Sequence, residues 1–203
     1  MRPARSFLGN ASAACAIVAT FVLASSAQVA QASLISPNTC PAGAAVQPFK
    51  AWGDSSDYEL APGGDFESSD FTGSPWALSG GAKRVPGSEP YAATGTLGAY
   101  SLALPAGAAA QSPSTCVSAA DPTIRFFVGG SGTAAVSVVY GSLVIPTGVV
   151  AAAGKWIPTP VMSTDSALPG LLSGGTAEVS IRLSGITGSP QVDDVFIDPW
   201  RRG

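Results

Sequence analysis

The alternation of apolar and polar residues predicts β-strands through most of the chain. The stretch 177–184 places four apolar side chains on one face and Glu178, Ser180, Arg182 and Ser184 on the other, which is typical of a strand with one buried face. Further candidate strands are 58–60, 76–79, 101–104, 123–128, 134–140 and 156–161. Helical periodicity is nearly absent, and the chain contains 24 Gly and 17 Pro. The pattern predicts an all-β protein, an antiparallel β-sandwich.

The last predicted strand, 192–199, contains two adjacent aspartates among apolar residues. In an extended strand alternate residues share a face, so Asp193 and Asp194 lie in opposite rows. Whichever row faces the core buries a carboxylate, which costs several kcal/mol unless a metal, an Arg or N–H groups meet it. The stretch 63–67, Gly-Gly-Asp-Phe-Glu, supplies more acidic groups near the other end. We predict that the two stretches meet around a calcium ion.

The N-terminal residues have the pattern of a secretory signal peptide. Arg2 and Arg5 form a positive region, 11–24 is apolar, and 30–32 is a small-x-small cleavage motif. A retained membrane anchor is the less favoured alternative, because the apolar run is shorter than the roughly 20 residues that span a bilayer. We therefore predict a signal peptide at 1–32, a lead-in at 33–56, a β-sandwich domain at 57–199 and a tail at 200–203.

The charge and composition of the chain exclude some classes of binding partner. The chain has 10 basic and 13 acidic residues, a formal net charge of -3, and removal of the signal peptide would make the remainder more acidic. Nucleic acid is therefore not an expected partner. The longest later apolar run, 143–153, is short and broken by Pro146 and Gly148. We expect a monomer that is secreted, either extracellular or at the cell surface, with no membrane span after signal cleavage.

The cysteine and histidine content limits which covalent bonds, catalytic groups and metal sites the protein can form. Cys15 lies in the predicted signal peptide, which leaves Cys40 and Cys116, and a pair in a secreted protein predicts one disulfide. A reactive or metal-binding thiol pair is the alternative. The chain contains no histidine, which excludes histidine-based triads and histidine-ligated zinc. Enzymes built on carboxylates, Lys, Arg or Tyr remain open.

The order of these motifs resembles the galactose-binding-like jelly rolls, and among them the xylan- and glucan-binding carbohydrate-binding modules. The motifs that carry the resemblance are Gly64-Asp65-Phe66-Glu67, Trp76 with Ser79-Gly80-Gly81, Arg125-Phe126-Phe127-Val128, Gly154-Lys155-Trp156 and Val192-Asp193-Asp194-Val195. They cover about residues 57–199. The resemblance implies a jelly-roll sandwich and a domain that binds polysaccharide without catalysis.

The resemblance also implies a structural calcium ion held by Glu67 and Asp193. Calcium takes six to eight oxygen ligands, so backbone carbonyls and Asp65 or Asp194 would complete the shell. The alternative is that Asp193 meets Arg125 or Arg182 and backbone N–H groups, with no metal. A calcium ion would tie the first and last strands together.

Sugar binding requires aromatic rings that stack on pyranose faces. In the similar modules the positions of Trp76 and Trp156 are mostly in the core. The remaining candidate platforms are Trp52, Tyr91, Tyr100, Phe127, Tyr140 and Trp200. We assign the predicted ligand site to Tyr91, Tyr100, Phe127 and Tyr140.

Three functions are compatible with these features. The first is a secreted, non-catalytic binding domain for a polysaccharide or cell-wall glycan, or another cell-surface component. The second is a surface or adhesion domain with no small ligand, favoured by the Ser-, Thr-, Gly- and Ala-rich outer face. The third is a carboxylate-based glycan hydrolase or lyase, for which Asp54, Asp57 and Glu59 form the only dense acidic cluster outside the two end stretches.

Overall fold

A computed structural model describes residues 35–36, 40, 44–68, 76–118, 123–163 and 176–198. All of them belong to the compact unit 33–203. The signal peptide predicted at 1–32, the tail at 200–203 and the candidate platform Trp200 lie outside the described residues. Within the described part no helix is long and apolar enough to cross a membrane.

The described residues form thirteen β-strands and one short 3-10 helix, Lys50–Trp52. The strands are β1 (Ile35–Ser36), β2 (Ala45–Val46), β3 (Tyr58–Leu60), β4 (Ala77–Ser79), β5 (Lys83–Pro86), β6 (Tyr100–Ala103), β7 (Ala109–Gln111), β8 (Thr115–Ser118), β9 (Thr123–Tyr140), β10 (Leu143–Ala153), β11 (Ile157–Pro158), β12 (Met162–Ser163) and β13 (Thr176–Asp198). Every pairing among them is antiparallel, so the predicted all-β antiparallel class is confirmed.

Two long strands, β9 and β13, organise the sheet. They pair with each other from Ser180–Val139 to Asp198–Thr123. On its other side β13 pairs in turn with β8, β7, β6 and β3, and the far side of β9 carries β10, β11 and β12. Both halves of the β9–β13 pair contribute to one main core, for example through Phe126 and Val138 of β9. The halves thus form the two layers of a β-sandwich.

A second, aromatic core lies on the opposite face of the β9–β13 pair. Phe127 and Phe196 project there and are covered by Phe49 and Tyr58, and all four side chains are buried. Phe49 contacts Tyr58 edge to face, with ring centroids 5.0 Å apart. The segment predicted as a simple lead-in therefore contributes a core residue, which its Pro- and Ala-rich composition did not indicate.

The closing strand differs from the predicted strict alternation. The β9 register shifts between Asp193 and Phe196, and Asp194 has the left-handed φ of 48°, which together mark a β-bulge. As a result Val192 and Val195, three positions apart, both face the main core. The prediction of two regular rows is wrong here because one extra residue reverses the side-chain alternation.

Other strand predictions need smaller changes. The predicted strands 123–128 and 134–140 are parts of β9, which continues through Gly129 and Gly130. Of the predicted strand 156–161 only Ile157–Pro158 is a strand, β11, and the separate β12 follows after Pro160 at Met162–Ser163. The predicted disulfide between Cys40 and Cys116 is confirmed.

Candidate functional site

An open depression of about 680 Å³ lies beside the aromatic core, and we call it the aromatic depression. Its lining residues are Gln47, Pro48, Lys50, Ala51, Trp52, Tyr91, Ala92 and Ala93. Trp52 is 39% exposed and Tyr91 is 45% exposed. Their ring centroids lie 4.8 Å apart with an interplanar angle of 80°. Two adjacent exposed rings at a right angle offer a stacking face and an edge to one ligand.

Both rings rest on one buried aromatic residue, Phe127. The Phe127 ring lies 5.4 Å from the Trp52 ring and 5.5 Å from the Tyr91 ring, measured between centroids. The Tyr91 hydroxyl donates a hydrogen bond to the carbonyl oxygen of Trp156 at 2.7 Å. Because the rings are fixed before any ligand arrives, little conformational entropy would be lost on binding.

A buried carboxylate shapes the loop that carries Tyr91. The Glu89 side chain is buried and accepts hydrogen bonds from the backbone N–H groups of Tyr91 and, at 2.8 Å, of Ala93. Between them Ala92 has a left-handed φ of 54°, a conformation that costs energy for a residue with a side chain. Glu89 therefore holds Tyr91 in position through the main chain.

Asp193 connects this loop to the closing strand. Its buried carboxylate accepts hydrogen bonds from the Ser88 hydroxyl at 2.6 Å and from the backbone N–H groups of Glu89 and Asp194 at 2.9 Å each. These three donors satisfy the carboxylate. The metal-free alternative predicted from the sequence also included Arg125 or Arg182, and neither arginine is among the three donors. Ser88 and Glu89 were not predicted, because a polar pair in a Gly/Pro-rich loop has no pattern that reveals its partner.

The opening and closing stretches meet, as predicted. Val195 donates a backbone hydrogen bond to Gly64 at 3.0 Å and accepts one from Ala61 at 2.8 Å. The carboxylate of Glu67 accepts hydrogen bonds from the backbone N–H groups of Ala99 and Tyr100, both at 2.8 Å. Glu67 and Asp193 thus each serve as acceptors for the loop that lies between them.

The interface between the two stretches is closely packed at Gly98. A Cβ atom added there would lie 2.5 Å from Ser88 Oγ and 2.7 Å from Glu67 Oε1. The hydroxyl that binds Asp193 and the carboxylate of Glu67 therefore face the same small residue. Asp65 is half-buried and accepts a hydrogen bond from the Glu67 N–H at 3.3 Å.

Burial changes the titration of the two closing aspartates. Burial raises the pKa of Asp193 to about 7, although its hydrogen bonds from Ser88, Glu89 and Asp194 act in the opposite direction. Burial also raises the pKa of Asp194 to about 8, and the nearby charges of Asp193 and Glu89 and a hydrogen bond with Glu89 add to the increase. Three acidic side chains, Glu89, Asp193 and Asp194, are thus concentrated in a buried region.

The fit of this region to calcium is mixed. Burial and the concentration of carboxyl groups favour a cation. However, Glu67 Oε1 and both carboxylate oxygens of Asp193 already accept N–H or O–H donors. Across the described residues no group of three or more His, Cys, Asp or Glu side chains is arranged to hold a metal ion. Calcium ligation by Glu67, Asp193, Asp65 and Asp194 stays a prediction.

The four predicted ligand-contact residues occupy different environments. Tyr91 lines the aromatic depression, as expected of a platform. Phe127 is fully buried, so its ring supports Trp52 and Tyr91 and cannot itself stack on a ligand. Tyr140 packs against the main core, and the guanidinium of Arg84 lies 3.3 Å from the centroid of the Tyr100 ring. The assignment of Phe127 as a contact residue is therefore wrong, because both faces of its strand are covered.

The acidic residues considered for catalysis have structural partners. Asp54 forms an ion pair with Arg125 at 2.5 Å and accepts a hydrogen bond from the Tyr58 hydroxyl at 2.7 Å. Asp57 accepts a hydrogen bond from the Gln47 amide at 3.1 Å. Asp54 thereby connects the lead-in to β3 and β9. Of the two tryptophans expected in the core, Trp76 is buried and Trp156 is half-buried against the aromatic core.

No family model matches the chain, and no curated protein matches it by sequence. Solved structures are similar to it. A family 61 carbohydrate-binding module in complex with β-1,4-galactotriose is 19% identical, with a TM-score of 0.45 over 70% of this chain and 98% of that module. The C-terminal family 6 carbohydrate-binding module of a marine laminarinase from Zobellia galactanivorans is 13% identical, with a TM-score of 0.41 over 60% of this chain and 90% of the module.

A similar structure with a different activity is a cyclase from Fischerella sp. TAU in complex with 4-(1H-indol-3-yl)butan-2-one. It is 12% identical, with a TM-score of 0.46 over 69% of this chain and 96% of the cyclase. The predicted resemblance to carbohydrate-binding modules recurs among these structures. At these identities the likeness concerns the fold, so the function is argued below from the residues of this chain.

Proposed function

We propose that this protein is a secreted, non-catalytic domain that binds a glycan in the aromatic depression. One observation carries the proposal: Trp52 and Tyr91 are exposed side by side, with centroids 4.8 Å apart, on the wall of a depression of about 680 Å³. Exposed aromatic rings present apolar surface to water, which is unfavourable in the free protein. A sugar face that covers the rings removes this surface from water, and this favours binding.

Polar groups around the rings suit the hydroxyl groups of a sugar. Lys50 and Gln47 line the same depression, and both side chains are hydrogen-bond donors. Gln47 also donates to Asp57 at 3.1 Å, which would orient its amide. A mixed apolar and polar surface of this kind binds a pyranose better than a purely apolar ligand or a metal ion.

The disulfide supports secretion. The Cys40–Cys116 bond persists in oxidising compartments such as the cell exterior and the periplasm. With the predicted signal peptide, it favours a cell-wall or extracellular glycan over an intracellular ligand.

The test is a pull-down of the purified, disulfide-bonded protein with insoluble polysaccharides and a titration with soluble oligosaccharides. Trp52→Ala and Tyr91→Ala should each weaken binding at least tenfold, because each removes one stacking ring. Val149→Ala is the matched control, since Val149 is 66% exposed on β10 and lies outside the depression. Binding that survives in both aromatic variants would refute the site, and absence of binding to every glycan would refute the function.

A further inference from the structure

A second depression lies on the outer face of the sandwich, and we call it the arginine depression. It has a volume of about 180 Å³ and is lined by Ala77, Leu78, Ser79, Ala109, Ala110, Gln111 and Arg182. The sheet register explains this set, because Arg182 of β13 pairs with Gln111 of β7, and Gln111 pairs with Ala77 of β4. On its other side Arg182 pairs with Ser137 of β9. One long cationic side chain thus lies among short neighbours.

Arg182 is half-buried on the outer face of the sandwich. Among the described residues its guanidinium has neither an ion pair nor a hydrogen bond. The other two arginines of the sandwich are engaged: Arg125 pairs with Asp54, and Arg84 donates to the carbonyl oxygens of Phe66 and Glu67 at 2.6 and 2.9 Å. The free guanidinium of Arg182 is therefore the exception.

No acidic group on the surrounding strands neutralises Arg182. β4, β7, β10 and the 131–140 part of β9 contain no charged residue. The nearest carboxylate on the same strand face is Glu178, four residues earlier along β13, which is a separation of roughly 13 Å. Glu178 accepts a hydrogen bond from the Ser114 hydroxyl at 3.0 Å. The permanently charged guanidinium of Arg182 thus lies on a sheet face where the side chains of the adjacent strands are neutral.

We propose that the arginine depression binds the carboxylate of a uronic acid residue in a polysaccharide. This proposal rests on the proposed glycan-binding function and adds a substrate class to it. The planar guanidinium matches a carboxylate with two parallel hydrogen bonds. Gln111, the cross-strand neighbour of Arg182, and Ser79, whose hydroxyl also donates to the Ala109 carbonyl oxygen at 3.3 Å, line the same depression and are available to the ring hydroxyls.

The experiment compares an acidic oligosaccharide with its neutral form. Oligogalacturonate, oligoglucuronate and the methyl ester of each, at equal chain length, are titrated into the disulfide-bonded protein by calorimetry. The wild-type protein should bind at least one acidic oligomer tenfold or more tightly than its ester. Arg182→Gln should abolish that preference and leave the affinity for the ester unchanged, whereas Lys83→Gln, which removes a charge from exposed β5, should preserve it.

Other results would overturn the proposal. The proposal fails if the wild-type protein shows no preference for the acidic oligomer, or if that preference survives in Arg182→Gln. It also fails if millimolar acetate displaces the oligomer as well as free uronate does. Trp52→Ala separates this proposal from the proposed function. If Trp52→Ala leaves binding intact while Arg182→Gln removes the preference, the aromatic depression is not the glycan site and the arginine depression is. If Trp52→Ala abolishes binding while Arg182→Gln has no effect, only the uronate proposal fails.

Discussion

The hydroxyl of Ser88 donates a hydrogen bond to the buried carboxylate of Asp193 at 2.6 Å, although 105 positions separate the two residues. The contact joins the bulge of the closing strand to the loop that displays Tyr91. The neighbouring carboxylate of Glu89 then fixes that loop from within. The buried acidic groups and the aromatic depression are therefore parts of one connected arrangement, and each can be tested separately.

Replacing Asp193 should destabilise the fold strongly. Asp193→Ala leaves the Ser88 hydroxyl and the N–H groups of Glu89 and Asp194 without an acceptor, which we expect to lower the free energy of unfolding by about 3 kcal/mol. Asp193→Asn, which keeps one acceptor oxygen, should cost less. Denaturant unfolding at neutral pH measures both. A loss below about 0.5 kcal/mol in Asp193→Ala would contradict the hydrogen-bond arrangement.

The calcium-free protein should lose stability as the pH rises from about 4 to about 8. Asp193 and Asp194 have pKa values of about 7 and 8 in the fold, above the usual value for an aspartate. Their stabilising contribution is therefore complete below the unfolded pKa and is lost as the pH passes through the folded pKa values, at a cost of roughly a few kcal/mol. Thermal unfolding in a chelator, across this range, measures the slope, which Asp194→Asn should reduce.

Calcium should reverse that loss if it binds the same region. A divalent ion stabilises ionised carboxylates, so millimolar calcium should raise the melting temperature at pH 8 and have little effect at pH 5. Magnesium at the same concentration is the control, because it prefers a smaller, octahedral shell. Equal melting temperatures in calcium and in chelator at pH 8 would exclude the predicted calcium ion.

Glu89 should affect binding through Tyr91. Glu89→Gln replaces one acceptor oxygen with an amide that cannot accept from the Tyr91 or Ala93 N–H, so the loop should lose its fixed conformation. We expect an affinity for glycan roughly five- to tenfold weaker, about 1 to 1.4 kcal/mol. The paired variant Glu89→Gln with Tyr91→Ala should bind no more weakly than Tyr91→Ala alone. Additive losses would mean that Glu89 acts independently of Tyr91.

The ion pair between Asp54 and Arg125 predicts a second, opposite pH dependence. Burial alone would raise the pKa of Asp54, but hydrogen bonds from Tyr58, from the Ser56 N–H and from Arg125 outweigh it and hold the pKa below the usual value. The resulting stabilisation is present above the unfolded pKa and is lost as the pH falls through the folded value. Asp54→Asn should therefore cost about 1 to 2 kcal/mol at pH 7, and the cost should shrink as the pH is lowered below the usual aspartate pKa. A cost that does not change with pH would show that the ionised form of Asp54 is not the stabilising one.

Composition and local residue patterns were enough to predict the strands, the absence of histidine chemistry and the disulfide pair. Alternation over 177–184 and the runs of Gly and Pro depend only on local chain geometry, so they can be read along the chain. The two aspartates in an apolar strand also required a partner, because a buried charge without one is too costly. That requirement led to the prediction that the opening and closing stretches meet, and backbone hydrogen bonds of Val195 with Ala61 and Gly64 join them.

Which side chains meet depends on long-range packing, which no local pattern reveals. The bulge at Asp194 arises from pairing with β9, so no local rule placed Val195 on the face of Val192. Burial of Phe127 depends on Phe49, which is distant in the chain. Within the part of the chain that the structure describes, Arg182 has no partner because β4, β7 and the adjacent part of β9 contain no acidic residue. The ligand surface consists of long-range contacts of this kind, and such contacts follow from the packing of the whole chain.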